Sequence, residues 1–377
     1  MHLINQIKKK LVWFVLLTTV LLACNKAPLD PQPITQPTQG TSPTLATLLS
    51  SQDSNLTFLT AAVVRAGLLP RLSSPNLRFT VFAPDNNAFI ASGIPSIAVI
   101  NSLSPGFLDT VLKYHIIPQA ITDASITMSF PNLQYPTIFN PNTAASPLLR
   151  LSVFLSKRAT NVWVNNIPVT LLNGIAVNGV LHRVSRLVIP PSAFLWNRIA
   201  ADPNLLLFKT AIQRADQDTT APGFLQSVLG TNPSIAIGAN FTVFAPDTTA
   251  FKNMLSALSG GAIPANAPNG NFIAFINTLP ITSVKAIVVY HALAVRSFAV
   301  NFPATTTFVP TLLNSVVKAH PGVAVQATIV PVPGFGLAAV AATVQGVANA
   351  SAANIYAQDN HYINGVLHVV DQVLLPQ

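Results

Sequence analysis

A seven-residue block, Phe-Thr-Val-Phe-Ala-Pro-Asp, occurs twice, at Phe79–Asp85 and at Phe241–Asp247. Each copy continues, after two intervening residues, with Ala-Phe: Ala88-Phe89 and Ala250-Phe251. Two further blocks follow each copy in the same order. Tyr114-His115 returns as Tyr290-His291, and Asn178-Gly179-Val180-Leu181-His182 returns as Asn364-Gly365-Val366-Leu367-His368. Both copies close on an apolar run and a proline, Val188-Ile189-Pro190 and Leu374-Leu375-Pro376. The displacement between copies grows from 162 to 176 to 186 positions, so the second copy holds 14 more residues before its Tyr-His pair and 10 more after it. The stretches Ser259–Asn271 and Pro333–Ala353, rich in Gly, Ala and Asn, read as loop expansions. A period this long exceeds that of any solenoid, so each copy is a whole domain, and 377 residues suit two of them. The reading gives a first domain over 43–191 and a second over 192–377.

The blocks have a local physical meaning. Phe79–Ala83 is aromatic and β-branched and reads as a buried strand that Pro84 ends. Asp85 and Asp247 then stand where a helix N-cap belongs, free to accept a backbone N–H. Ala88 and Ala250 occupy the position where a capping box would have an acidic residue, which weakens the cap. Ser104-Pro105-Gly106 opens a helix, with Ser as cap and Pro in the first turn. Phe107, Leu108, Val111, Leu112 and His115 fall on one face of it, and Ile281, Val284, Val288 and His291 do the same in the second copy. Asn178-Gly179 and Asn364-Gly365 read as turns in which both residues tolerate positive φ. In the strands beyond them His182 shares a face with Val180 and Val184, and His368 with Val366 and Val370. Tyr114, His115, His182, Tyr290, His291 and His368 are therefore taken as buried structural residues. The competing reading, a metal site in each copy, lacks the third protein ligand that zinc requires. No metal and no cofactor is expected.

The first forty residues differ in kind. Lys8-Lys9-Lys10 precede an uncharged run, Leu11–Ala23, too short to span a bilayer. A basic start and a short apolar core make a signal peptide over 1–23. The run ends in Leu21-Leu22-Ala23-Cys24, which resembles the lipobox of bacterial lipoproteins, although Leu22 is bulkier than that family's usual residue. The resemblance implies that the Cys24 thiol, from the only cysteine of the chain, takes a diacylglycerol. Residues 24–42, with Pro28, Pro31, Pro33 and Pro37, have too little apolar content for a core. They read as a tether of at most ~60 Å at about 3.1 Å per residue.

Taken together, the three repeated blocks resemble the fasciclin (FAS1) family over about Pro43–Pro190 and Ala193–Pro376. That resemblance implies an α+β fold of two tandem modules, each a β-sandwich or wedge with a layer of helices, and a role in adhesion. Composition agrees with an envelope setting: half of the residues are hydrophobic and only 8% are charged, about a third of the usual share. The formal charge of +9 falls to +6 without Lys8–Lys10, and no basic stripe interleaves with aromatics, so nucleic acid is not an expected partner. No acidic residues form a close pair that repeats in both copies, as acid–base work would need, and there is no G-x-S-x-G elbow, P-loop or H-E-x-x-H helix. Trp163 and Trp196 could stack on sugars or simply pack. The expectation is a non-enzymatic protein of the bacterial envelope, held by its N-terminal lipid at the outer membrane or cell surface, that binds a surface protein or glycan. A ligand-free spacer and a cryptic hydrolase are the alternatives.

Overall fold

The computed structural model describes residues 42–50, 53–144, 146–218 and 224–377. The expected leader, Cys24 and nearly all of the tether lie outside the described residues. The described residues divide into two compact units, one of residues 42–190 with Ile329–Val340, the other of Pro191–Thr328 with Ala341–Gln377.

The first module runs through helices α1 (Leu45–Ser50), α2 (Thr57–Arg65) and α3 (Leu69–Ser73) into strand β1 (Phe79–Pro84). Helices α4 (Asn86–Ala91), α5 (Ile97–Ser102) and α6 (Pro105–Tyr114) follow. Strands β2 (Ile116–Ile117), β3 (Leu133–Pro136), β4 (Ser152–Arg158), β5 (Asn161–Val164), β6 (Ile167–Ala176) and β7 (Gly179–Val184) complete it. The seven strands form one sheet in the order β2-β1-β7-β6-β5-β4-β3. β1 lies parallel to β7, with Phe82 opposite His182, while the remaining pairs are antiparallel.

The second module repeats this plan. Its helices are α7 (Leu195–Ala201), α8 (Leu206–Ala215), α9 (Phe224–Gln226), α10 (Pro233–Ala236), α11 (Thr248–Leu258), α12 (Asn269–Thr278) and α13 (Ile281–Tyr290). Its strands are β8 (Phe241–Pro246), β9 (Ala292–Leu293), β10 (Thr307–Val309), β11 (Val323–Val332), β12 (Gly336–Gln345), β13 (Ala353–Tyr362) and β14 (Gly365–Val370). The order β10-β11-β12-β13-β14-β8-β9 is the same, again with a parallel pair, β8 against β14. Two α+β modules of identical topology thus follow one another.

All six residues of β1 and of β8 are buried, because each strand is flanked on both edges and covered on both faces. Phe82 and Phe244, fully enclosed, each contribute roughly 1.5–3 kcal/mol of burial. Each module has its own core. The first joins Leu59, Ala62 and Val63 of α2, Leu108, Val111 and Leu112 of α6, and Val81 of β1. The second joins Phe208 and Ile212 of α8, Phe251 of α11, Val284 and Val288 of α13, and Val243 of β8. Polar edges are handled with prolines. β3 ends in Pro136, and β10 is followed directly by Pro310, which removes a donor from each exposed edge.

Three expectations need correction. Phe107 stands 45% exposed rather than facing the core, since it lies at the edge of the helical stripe centred on Leu108, Val111 and Leu112, which are buried. The 14 extra residues before Tyr290 are not mainly loop: α11 has 11 residues where α4 has 6, and α12 has 10 where α5 has 6. Only 259–268 is irregular between them. Most of Pro333–Ala353 is likewise strand. β11 and β12 form a hairpin of ten-residue strands around a turn at Pro333–Phe335, where β4 and β5 have 7 and 4 residues. The alanines of β12 conceal its period, because Ala fits either face: Ala339, Ala342 and Val344 are buried.

Candidate functional site

The repeated polar residues were the only candidates common to both copies, so their surroundings decide what the shared chemistry is. Asp85 follows β1 and accepts from Ala88 N at 2.8 Å; Asp247 follows β8 and accepts from Ala250 N at 2.7 Å. Each holds one of the orphan N–H groups at the start of α4 or α11.

His115 follows α6 and is 1% exposed. Its Nδ1–H donates to Val111 O at 2.8 Å, and its Nε2 accepts from Val188 N at 2.9 Å. His291 repeats this with Ile287 O at 2.7 Å and Leu374 N at 2.8 Å. The strand histidines use the opposite tautomer. His182 accepts at Nδ1 from Asn173 N at 3.1 Å and donates from Nε2 to Ile121 O at 2.8 Å. His368 accepts from Asp359 N at 3.2 Å and donates to Ser297 O at 3.1 Å. The donors Asn173 and Asp359 sit at positive φ, 59° and 61°, where register shifts break the β6–β7 and β13–β14 ladders. Each bulge therefore aims an N–H at a histidine. The two strand histidines also stack on Phe82 and Phe244, with ring centroids 5.8 and 5.7 Å away.

In each ring one nitrogen carries a proton given to a carbonyl and the other takes a backbone proton. No lone pair remains for a metal. Burial pushes His115, His291 and His368 down to about 4 against the usual 6.5, and lowers His182 as well. All four rings are neutral at pH 7. Tyr114 donates to Ser152 O at 2.8 Å, and Tyr290 donates to Gly322 O at 2.7 Å while accepting from Val347 N.

The structure gives two repeated asparagines, read from the sequence as turn residues, a different role, and adds repeated threonines and arginines that the sequence did not single out. Asn178 and Asn364 are fully buried. Asn178 Oδ1 accepts from Leu45 N and its Nδ2 donates to Leu72 O and Ser74 O. Asn364 makes the matching bonds with Leu195 N and Val228 O. These residues clamp the first helix of each module to its last strand, and neither has positive φ. The following glycines are required by close approach: a Cβ would stand 1.9 Å from Phe79 O at Gly179 and 2.5 Å from Phe241 O at Gly365. Thr80 and Thr242 each donate to a loop carbonyl, Gln119 O and Val295 O, and accept the N–H of Ile121 and Ser297. Arg65 and Arg214 reach Leu103 O and Leu279 O, the ends of α5 and α12. The two arginines repeat at a displacement of 149 positions, shared with Asp53-x-Asn55-Leu56 and Asp202-x-Asn204-Leu205.

Arg296, a buried polar residue of the second module, makes contacts that are not repeated in the first. Arg296 donates to His361 Nε2 at 2.9 Å and to Ile363 O at 2.8 Å. Burial first, then the guanidinium, holds His361 well below its usual range. Asp359 caps the neighbouring turn by accepting from Ala299 N at 2.7 Å. The first module has Ala120 and Ile175 at the corresponding places of Arg296 and His361. Trp163 is 1% exposed and offers no free face for stacking on a sugar, while Trp196 is half-buried against the second core.

Comparison with known proteins gives one family, the Fasciclin domain, matching residues 54–190 and again 217–376. A Synechocystis protein, sll1483, is 30% identical over 158 residues, covering 41% of this chain and 78% of its own length. Among solved structures, a FAS1 domain pair from the insect cell adhesion molecule fasciclin I matches at 17% identity with a TM-score of 0.34, covering 86% of this chain and 98% of the other.

Proposed function

Because the chain belongs to the fasciclin-domain family through both of its halves, we propose that it is a lipid-anchored protein of the bacterial envelope that adheres to, or binds, a surface protein or glycan. Adhesion-related proteins are the setting in which this family is known. The observation that carries the reading is the inward commitment of the shared polar residues: the aspartates cap helices, and the histidines, tyrosines and asparagines bond to backbone. Such modules serve as rigid scaffolds, and recognition then belongs to surface that differs between copies.

The irregular stretch between α11 and α12 is the leading place for contact. It is mostly exposed, apart from Ile263 and Ala267 packed against the core, and is twice as long as its counterpart 92–96 in the first module. The hairpin of β11 and β12 is not a comparable candidate, because Thr343 and Val344 pair with β13 and its removal would break the sheet. The anchor reading rests on Lys8–Lys10, the apolar run and Ala23-Cys24. The test is attachment of protein-coated beads to cells or envelope polymers, with the whole chain and with a variant in which Gly261–Asn266 is deleted. Attachment should weaken, while melting falls only by what the loss of Ile263 from the edge of the core costs. Equal attachment removes this loop as the site, and turnover of an ester, glycoside or peptide that one polar substitution abolishes overturns the binding reading.

A further inference from the structure

Three side chains of complementary chemistry meet in the first module, outside its repeated blocks. Lys157 comes from β4, Asn173 from the bulge of β6, and Asp123 from the turn of 3-10 helix at Asp123–Ser125. Asp123 touches both of the others. Lys157 Nζ donates to Asp123 O at 2.8 Å and stands 3.8 Å from its Oδ2. Asn173 Nδ2 donates to Asp123 Oδ1 at 2.6 Å, and Asn173 Oδ1 accepts from Asp123 N at 3.1 Å. The lysine side chain is only 18% exposed.

The second module shows how much of this the fold itself requires. There Asp359 stands for Asn173 and Ala299 for Asp123, and Asp359 accepts from Ala299 N at 2.7 Å. That bond alone caps the turn, so the Asp123 carboxylate and the Lys157 amine are additions that the cap does not need. Nor do they form a close ion pair, since the carboxylate makes its shortest bond to the Asn173 amide. Each group has the place it would take in an exchange of one amide for another. Lysine supplies a nucleophile on a flexible four-carbon stem. Asn173 Cγ is the electrophile, its oxygen already facing a backbone N–H that can hold developing negative charge. The Asp123 carboxylate is within reach of both the amine and the amide nitrogen that would leave. The bond from Asn173 holds the Asp123 carboxyl below its usual range, so it is ionised at neutral pH and free to take a proton.

We propose that Lys157 Nζ condenses with Asn173 Cγ to form an internal isopeptide bond, with Asp123 carrying the proton between them. The Asp123 carboxylate takes a proton from the Lys157 ammonium, and the amine attacks Cγ. Asp123 passes that proton to Nδ2, the Cγ–Nδ2 bond breaks, and ammonia leaves. The second proton lost by the attacking nitrogen goes through Asp123 to water. One amide replaces another, so no oxidant, reductant or further reactant is needed. The product ties β4 to β6 across the intervening strand β5.

The test is the intact mass of the chain from Ser42 to Gln377, which keeps both cores, since they begin at Leu45 and Leu195. The mass should fall short of that of the sequence by about 17 Da, one ammonia. Trypsin should then leave Leu151–Arg158 joined to Ala159–Arg183. Lys157→Arg keeps the cation but cannot condense, and should have its full mass. Asp123→Ala, which introduces the residue of the second module, should also keep its full mass. A full mass for the unaltered chain overturns the proposal. So does a loss of about 17 Da that persists in Lys157→Arg, which would mark a succinimide at Asn173-Gly174 or another Asn-Gly pair. A gain of about 1 Da at Asn173 overturns it in favour of deamidation. A joined peptide in Asp123→Ala would remove Asp123 from the reaction and overturn that part. None of these outcomes bears on the binding reading or on Cys24, because the bond lies within one module and residues 1–41 are absent from the protein tested.

Discussion

Lowering the pH from 7.5 to 5 should remove about 4 kcal/mol of stability from the second module. His291 and His368 titrate at about 4 in the fold and at 6.5 when unfolded. A depressed histidine value means that the fold holds the neutral ring while the unfolded chain gains a proton. Stability is therefore complete above 6.5, declines as pH falls from 6.5 to about 4, and is level below that. At pH 5 linkage makes the loss about 2 kcal/mol for each ring. His361, also lowered, adds to the same trend. The Asp359 carboxylate, 3.9 Å from His368 Nδ1, favours the charged ring, but burial outweighs it. Urea unfolding followed by fluorescence reads the effect. Trp163→Phe leaves Trp196, in α7, as the reporter of the second module in the chain from Ser42 on. With a urea slope of about 2 kcal/mol per M, the midpoint should fall by about 2 M. A midpoint that moves by less than about 0.5 M, or rises, refutes the claim that these rings are buried, neutral and held by backbone.

Other outcomes follow from the same geometry. Asn178→Ala should lower the stability of the first module by about 2–4 kcal/mol, because Leu45 N, Leu72 O and Ser74 O lose their partner together; a loss under about 0.5 kcal/mol would mean that water replaces the clamp. His115→Ala or His291→Ala should cost roughly 1–3 kcal/mol, and added zinc should leave the melting temperature of the unaltered chain where it was. A zinc-dependent rise that either substitution abolishes would restore the metal reading. Cys24→Ser should end labelling by a palmitate analogue, and labelling equal to that of the unaltered chain would remove the anchor.

The architecture was legible from three blocks, since each repeated block is one whose side chains the fold consumes. Phe79–Pro84 must be strand, the following aspartate must cap, and the Asn-Gly strand must pair beside it. What stayed hidden has particular causes. Asn178 reads as a turn residue, because turn and buried clamp use the same amide, and only the long-range partners Leu45 and Leu72 distinguish them. The hairpin of β11 and β12 was concealed by alanine, which gives no two-residue period. The bulge residues Asn173 and Asp359 differ in type between copies, so no repeat marks them, although each delivers the same N–H to a histidine. Arg296 and His361 lie far apart in sequence and have no counterpart in the first copy; nothing short of the folded strands brings them together. The surface that would meet a ligand is the least repeated part and therefore the least readable.

The central claim is that this is an outward-facing envelope protein, and protease shaving of intact cells tests it most directly. Brief digestion should release fragments carrying the fasciclin modules while cytoplasmic markers stay inside, and release should be prevented by treating the cells beforehand with a protease inhibitor. Modules that remain fully protected on intact cells, and become cleavable only after the envelope is opened, would contradict the account.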